Sequence, residues 1–266
     1  MNFRIIGDSH VQALAMGLTM RKQQGLPEPK NLATSFCYLG NGFHLSEPFW
    51  ERQGNSLRML RDDYAASLAE ATGSPAISAA QGTVYGLCMG LHTARVFRNP
   101  MWKDFVPWNV APSGGETPVS SGAMDRIFDE DAKYIVGFFE EMRDLSIPFL
   151  VISAPPPYRF HSCMTEDGLR PAVVVEVDRA YRARIRKQLD LLGVPCVTPP
   201  ESAYDAMGFM HPKYRIGVVE HDPHHGNADY GQRMVARIFS RMIEYRRQLH
   251  QAQASRGADA AQPTGR

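Results

Sequence analysis

The sequence near one end reads Phe3-Arg4-Ile5-Ile6-Gly7-Asp8-Ser9-His10, a short apolar segment that runs into a Gly-Asp-Ser turn. Residues 3–6 predict a central parallel strand, because apolar side chains fall on both faces. Residues 11–22 then predict an amphipathic helix. Strand, tight turn and helix in this order begin a βα unit, with Ser9 at the first turn of the helix.

The rest of the chain alternates between apolar runs and amphipathic segments. Further strands are predicted at residues 34–39, 76–80, 148–153 and 195–198, and further helices at residues 56–71, 84–97, 129–145, 173–192 and 230–250. This alternation predicts the α/β class, as a three-layer α/β/α sandwich on a central parallel sheet. Sites in such sheets collect at the carboxyl ends of the strands. We therefore expect Ser9, Gly40 and the pair Gly82-Thr83 to lie at one edge.

Length and composition limit the classes of protein. The 266 residues suit one domain over residues 1–250, followed by a small, polar tail at 251–266 that we expect to be disordered. The formal net charge of +1 gives no field that would favour nucleic acid or an anionic membrane as a partner. The sequence contains no long uncharged apolar run and no signal-peptide core, so a cytoplasmic location is the default expectation.

The cysteines are scattered, and none forms a Cys-x-x-Cys pair. They are Cys37, Cys88, Cys163 and Cys196. This spacing argues against a zinc ribbon or a thioredoxin-like site. Reduced, mostly buried thiols are the expected state.

A second polar segment, Asp222-Pro223-His224-His225, precedes the last predicted helix. A carboxylate three residues before an imidazole can fix its tautomer and leave the other ring nitrogen free as a base. Ser9 would supply the nucleophile, so the chain contains the three residue types of a serine hydrolase. Each part also has a structural explanation: Ser9 as a helix cap, and the histidines as a solvated loop.

These two segments together resemble the SGNH/GDSL hydrolases, a family of serine esterases and lipases. The resemblance lies in Gly7-Asp8-Ser9 after the first strand and in Asp222-x-x-His225 before the last helix. It implies a flavodoxin-like α/β/α sandwich. It also implies that Ser9 is the nucleophile, His225 the base and Asp222 the carboxylate that orients the base. The adjacent His224 leaves the choice of base open, although the Asp-x-x-His spacing favours His225.

The family resemblance also implies an oxyanion hole, built from a glycine after the second strand and an asparagine after the third. Gly40 suits the first role, with Gly42 as a competitor. At the second position the chain reads Gln81-Gly82-Thr83, without asparagine, so Thr83 or Gln81 would have to donate, unless Asn41 swings into the hole. Losing one donor costs roughly 3–4 kcal/mol of transition-state stabilisation.

The sequence thus predicts a serine esterase that hydrolyses a carboxylic ester through an acyl-enzyme and needs no cofactor. A short-acyl ester on a carbohydrate is the leading substrate, from the resemblance and from the aromatic residues of the loop at 99–117. One alternative is a metal-dependent hydrolase that uses the histidine-rich segment 211–225. The other is a catalytically weak or inert binding protein of the same fold. The sequence leaves open whether hydrolysis or acyl transfer dominates.

Overall fold

A computed structural model describes residues 1–216 and 224–260. In chain order, its strands are β1 (Asn2–Asp8), β2 (Ala33–Gly40), β3 (Trp50–Gln53), β4 (Ser56–Met59), β5 (Ala76–Ser78), β6 (Thr83–Cys88), β7 (Phe105–Pro107), β8 (Thr117–Val119), β9 (Phe149–Ile152) and β10 (Cys196–Val197). Its α-helices are α1 (Val11–Gln23), α2 (Asp62–Thr72), α3 (Ala94–Phe97), α4 (Ser121–Asp144), α5 (Ser162–Thr165), α6 (Pro171–Leu191) and α7 (Ala228–Ala260).

The central sheet has five parallel strands in the order β10-β9-β6-β1-β2. Counted along the chain within this sheet, the order is 2-1-3-4-5, which reverses direction between β1 and β6. Parallel α/β sheets bind ligands in the crevice at such a reversal, outside the carboxyl ends of the strands. Ser9 follows β1 directly, so the topology places it at this crevice.

Helices cover both faces of the central sheet. Successive side chains of a strand point to opposite faces, so Phe3 and Ile5 of β1 face one layer and Ile6 faces the other. The first layer contains α1 and α7, and its apolar core includes Leu14 and Met234. The second contains α2, α4 and α6, and packs on Ile6. The three-layer α/β/α prediction is confirmed.

Helices α1 and α7 cross with their backbones in close contact. A Cβ atom added to Gly17 would lie 2.0 Å from the backbone carbon of Gly231, and one added to Gly231 would lie 1.7 Å from the carbonyl oxygen of Ala13. Only glycine at these two positions permits this approach. The crossing fixes the helix that follows Ser9 against the helix that follows His225.

The third strand of the sheet differs from the prediction. Residues 84–97 were expected to be helical, but Thr83–Cys88 forms β6 in the sheet, and only Ala94–Phe97 is helical there. Gly86, which favours neither structure by propensity, packs on β1: an added Cβ would lie 2.7 Å from Cζ of Phe3. A glycine inside a strand commonly marks such a close approach.

The strand expected at 76–80 lies outside the central sheet. Ala76–Ser78 pairs instead with β4, which pairs with β3 in a separate antiparallel sheet. The helix expected at 56–71 accordingly begins only at Asp62, since Ser56–Met59 is a strand. Gly54, with φ +60°, and Asn55 form the two-residue turn between β3 and β4.

The remaining predicted elements differ mainly in their ends. Helix α4 begins at Ser121 rather than 129, and the segment 99–117 contains a 3-10 turn and strand β7. Helix α7 continues to Ala260, into the predicted tail, and residues 261–266 lie outside the described residues. All four cysteines are free thiols, and Cys196 alone of them is not fully buried. Among the described helices, none combines the length and apolar character needed to cross a membrane.

Candidate active site

Ser9 lies in the tight turn between β1 and α1. Its hydroxyl is directed toward the segment that contains His225. Nε2 of His225 lies 2.6 Å from Oγ of Ser9. Helix α1 has no side-chain cap, and Ser9 contributes only its carbonyl oxygen, which accepts from the N–H of Gln12 at 3.1 Å. The cap explanation of Ser9 therefore does not apply, and its hydroxyl is hydrogen-bonded to an imidazole.

His225 is held by the segment around it. Tyr158 Oη donates to the carbonyl oxygen of His225, and Gly226 forms a β-bridge with Arg215. Asn227 Nδ2 donates to the carbonyl oxygens of Lys213 and Arg215 at 2.8 and 3.0 Å. Oδ1 of Asn227 accepts from the N–H of Tyr230, at the start of α7. These bonds fix the backbone that carries the imidazole.

Asp222, which the sequence assigns as the partner of His225, lies outside the described residues, in the segment 217–223. The same holds for His221 of the alternative metal site. His211, another member of that set, caps a short 3-10 turn: its Nδ1 accepts from the N–H of Lys213 at 3.3 Å. The structure therefore gives His211 a local structural role.

The loop after β2 brings Gly40 to the same edge as Ser9. Gly40 pairs with Asp8 and has φ +137°, a conformation that favours glycine. Asn41 is engaged locally: its Oδ1 accepts from the N–H of Phe43 at 3.0 Å, and its carbonyl oxygen accepts from Tyr64 Oη at 2.5 Å. The Asn41 side chain thus stabilises the loop.

Gly82 and Thr83 lie at the opposite edge of the sheet. Thr83 pairs with Asn2 at the first residue of β1, and the carbonyl oxygen of Gly82 accepts from the N–H of Asn2 at 2.7 Å. The length of β1, roughly 20 Å at the usual rise per residue, separates them from Ser9. The prediction that Thr83 and Gly82 contribute to the oxyanion hole is wrong, because it rested on the misassigned third strand.

The carboxyl end of β6 instead leads into Gly90-Leu91-His92. His92 is 7% exposed, and its Nδ1 lies 3.6 Å from Oδ2 of Asp8. Sequence reasoning missed His92 because it treated this segment as a helix. The run of Val84, Tyr85 and Leu87 suits a strand, but Gly86 and Gly90 interrupt it, so this signal alone did not identify the strand.

Several imidazoles lie together beneath Ser9. The ring centroid of His10 is 4.5 Å from that of His92 and 5.1 Å from that of His225, and the His224 ring lies 5.4 Å from that of His92. Burial holds the pKa of His10 well below its usual value. Burial alone would raise the pKa of Asp8. The nearby His10 and His92 side chains, together with the backbone N–H of His10, which donates to Oδ1 of Asp8 at 3.0 Å, lower that pKa below its usual value. Asp8 is therefore a buried carboxylate surrounded by imidazoles.

A buried arginine connects the loops at this edge. The guanidinium of Arg182 lies 2.9 Å from both carboxylate oxygens of Asp178, and donates to Ser153 Oγ at 2.5 Å and to the carbonyl oxygen of Pro155 at 2.7 Å. Thr93 Oγ1 donates to Asp178 as well. The Arg182–Asp178 ion pair therefore joins the loop after β9 to the loop that carries His92.

The aromatic residues of the loop at 99–117 divide into two kinds. Trp102 is buried, and its Nε1 donates to the carbonyl oxygen of Val96 at 2.9 Å, so it anchors the loop. Trp108 is 61% exposed and lines a cleft with Phe128 and Arg184 between α4 and α6. The loop thus contains one structural tryptophan and one exposed tryptophan.

Comparison with known proteins gives distant structural likenesses. No protein-family model and no curated protein matches the chain. An acetyl xylan esterase structure is 12% identical, with 90% of this chain and 98% of that one covered and a TM-score of 0.43. A GDSL-like lipase from Bacteroides thetaiotaomicron is 10% identical (91% and 88% covered, TM-score 0.45). The periplasmic domain of a lipopolysaccharide acetyltransferase from Salmonella ser. Paratyphi A is 12% identical (91% and 83% covered, TM-score 0.44).

Proposed function

We propose that the protein is a serine esterase of the SGNH/GDSL type. The observation that carries the proposal is the 2.6 Å separation of His225 Nε2 and Ser9 Oγ, because a hydroxyl becomes a useful nucleophile when a base accepts its proton. The position of Ser9 at the reversal of the sheet order supports it, since substrates of α/β proteins bind there.

In the proposed reaction, Ser9 Oγ attacks the carbonyl carbon of the ester while its proton passes to His225 Nε2. Collapse of the tetrahedral intermediate breaks the bond to the alcohol, which takes the proton from His225. Water then attacks the acyl-enzyme with the same base, and releases the acid and Ser9. Asp222 is the proposed carboxylate that orients His225 and stabilises its charged form.

The proposed oxyanion hole contains the backbone N–H groups of Ser9 and Gly40, together with His92. Gly40 lies at the same edge as Ser9, in a conformation that few other residues adopt. His92 stands after the third strand of the sheet, where the SGNH family has its asparagine. An imidazole N–H can donate a hydrogen bond to an oxyanion, as one N–H of a carboxamide does, so His92 can replace that donor.

The proposed substrate is a short-acyl ester of a carbohydrate. Two exposed phenylalanines lie near the site, each beneath a guanidinium: Phe43 beneath Arg98 at 5.4 Å and Phe160 beneath Arg215 at 5.4 Å. Phe43 follows Gly42, and Arg215 is bridged to the residue after His225. Aromatic faces stack on sugar rings, which supports a carbohydrate as the alcohol.

Turnover of p-nitrophenyl acetate, followed by turnover of acetylated sugars, tests the activity. Ser9→Ala and His225→Ala should each reduce kcat by about 10³-fold or more, since removal of a triad member has effects of this size or larger. Ser240→Ala is the matched control, because Ser240 is exposed on α7 and donates only to Ala236. A fluorophosphonate should label wild type but not the Ser9 variant. Equal, near-background rates in wild type and Ser9→Ala would favour an inert binding protein.

A further inference from the structure

The cluster beneath Ser9 contains several buried polar atoms, and the proposed esterase reaction uses only one donor nitrogen of His92 among them. Among the described residues, neither ring nitrogen of His10, neither ring nitrogen of His92, nor Oδ2 of Asp8 has a hydrogen-bond partner within 3.5 Å, and the His92 Nδ1–Asp8 Oδ2 contact is longer, at 3.6 Å. The three side chains are 2 to 7% exposed. Buried polar groups are nearly always paired, so this group calls for a ligand.

The three groups also converge. One ligand atom from each of Asp8, His10 and His92 lies within 4.8 Å of the other two. The shortest recorded approach is between Nδ1 of His92 and Oδ2 of Asp8, at 3.6 Å. Ligand atoms around a tetrahedral zinc ion lie about 3.3 Å apart, given metal–ligand distances of 2.0–2.2 Å. The atoms are therefore between about 0.3 and 1.5 Å farther apart than four-coordinate zinc requires, a gap that the side chains would close on binding.

We propose that Asp8, His10 and His92 form a binding site for a divalent transition-metal ion of the zinc type. Two imidazoles and one carboxylate are a donor set that zinc and cobalt(II) prefer, and three protein ligands leave a fourth position for water. The site uses none of the sequence segment 211–225. Its ligands include neither Ser9 nor His225, although two of them flank Ser9, so metal binding can be tested whether or not the protein hydrolyses esters.

The backbone supports the two ligands that flank Ser9. Oδ1 of Asp8 accepts from the N–H of His10 at 3.0 Å, which leaves Oδ2 directed toward His92. Gly42 packs against the other side of the Asp8 carboxylate, because a Cβ atom added to Gly42 would lie 2.8 Å from Oδ2 of Asp8. With Nδ1 of His92 on the metal, the proton of that ring resides on Nε2, so metal binding is compatible with the donor role proposed above.

Cobalt(II) and zinc titrations of the full chain test the site. Wild type should bind one ion per chain, with the visible absorption of four-coordinate cobalt(II), and zinc should displace the cobalt. His10→Leu, His92→Leu and Asp8→Asn should each weaken binding by about 100-fold or more, since even loss of an outer-shell partner costs 10–100-fold. His44→Ala, at a histidine outside the cluster, should bind like wild type.

Asp8→Asn is the decisive variant, because asparagine keeps the shape and the hydrogen bond to the His10 N–H. Circular dichroism checks its fold, and metal-induced thermal stabilisation provides a second readout that is independent of ester turnover. The proposal is overturned if wild type binds no ion more tightly than Asp8→Asn does. It is also overturned if His225→Ala abolishes binding while the three ligand variants retain it.

Discussion

Gly17 and Gly231 meet backbone to backbone where α1 crosses α7. Since α1 begins after Ser9 and α7 begins after His225, this contact sets the distance between the two segments that carry the reacting groups. Helix packing away from the site thus controls its geometry.

Alanine at either glycine should separate the helices. Gly17→Ala and Gly231→Ala are expected to lower the free energy of unfolding by about 1–3 kcal/mol, as overpacked sites do. Each should reduce kcat about tenfold or more, since small misplacements of reacting groups are costly. Gly122→Ala is the control, because nothing lies within 4 Å of its added Cβ. Urea unfolding and ester turnover measure both effects, and wild-type behaviour of all three variants would contradict the argument.

Arg182 should be essential to stability, whereas its neighbour Arg179 should not. Arg182→Met leaves the buried carboxylate of Asp178 without its cation, although Thr93 Oγ1 still donates to it, and this costs about 3–5 kcal/mol. Arg179 lies on the same helix, but pairs with Glu176 while 64% exposed, so Arg179→Met should cost at most about 1 kcal/mol. Urea denaturation of the two variants gives the comparison; equal losses would mean that Asp178 finds another partner.

The protein should lose stability as the pH falls from about 6.5 to 4. Burial, followed by the nearby charge of Arg98, lowers the pKa of His161 to about 4. In this window the unfolded chain binds a proton at His161 that the folded chain does not, so acid favours unfolding. The free energy of unfolding should fall by at most about 3 kcal/mol.

His161→Asn isolates this contribution. Nδ1 of His161 accepts from the N–H of Cys163 at 3.2 Å, and asparagine can accept the same bond as a helix cap without titrating. Urea unfolding between pH 7.5 and 4.5 should therefore show a flatter pH dependence in the variant than in wild type. A slope equal to that of wild type would assign the effect to other groups, such as His10.

His92, rather than Thr83, should contribute to turnover. His92→Ala is expected to lower kcat by about 10²–10³-fold, the usual effect of one missing oxyanion donor. Thr83→Val, a change of similar shape at the far end of the sheet, should leave kcat within about twofold. Steady-state kinetics on p-nitrophenyl acetate distinguishes the two; the reverse ranking would restore the sequence-based assignment.

The strand–turn–helix pattern at Ser9 and the position of His225 before the last helix are local signals. The expectation that the two residues meet came from the resemblance to the SGNH/GDSL hydrolases, and they lie 2.6 Å apart. The sequence could not locate the third strand of the sheet. Gly86 and Gly90 interrupt residues 84–97, and only the packing of Gly86 on Phe3 explains the glycine there. The histidine cluster was missed for a related reason: Asp8 and His92 meet only through the register of β1 with β6.

The pairing of Ser9 with His225 across 216 positions has a consequence for synthesis on the ribosome. The nucleophile emerges before the base, and the base and helix α7 emerge only after most of the described chain has been translated. Until then, the face of α1 around Gly17 has nothing to pack against. A nascent chain therefore cannot carry out the proposed reaction, and protection of α1 from proteolysis should appear together with activity.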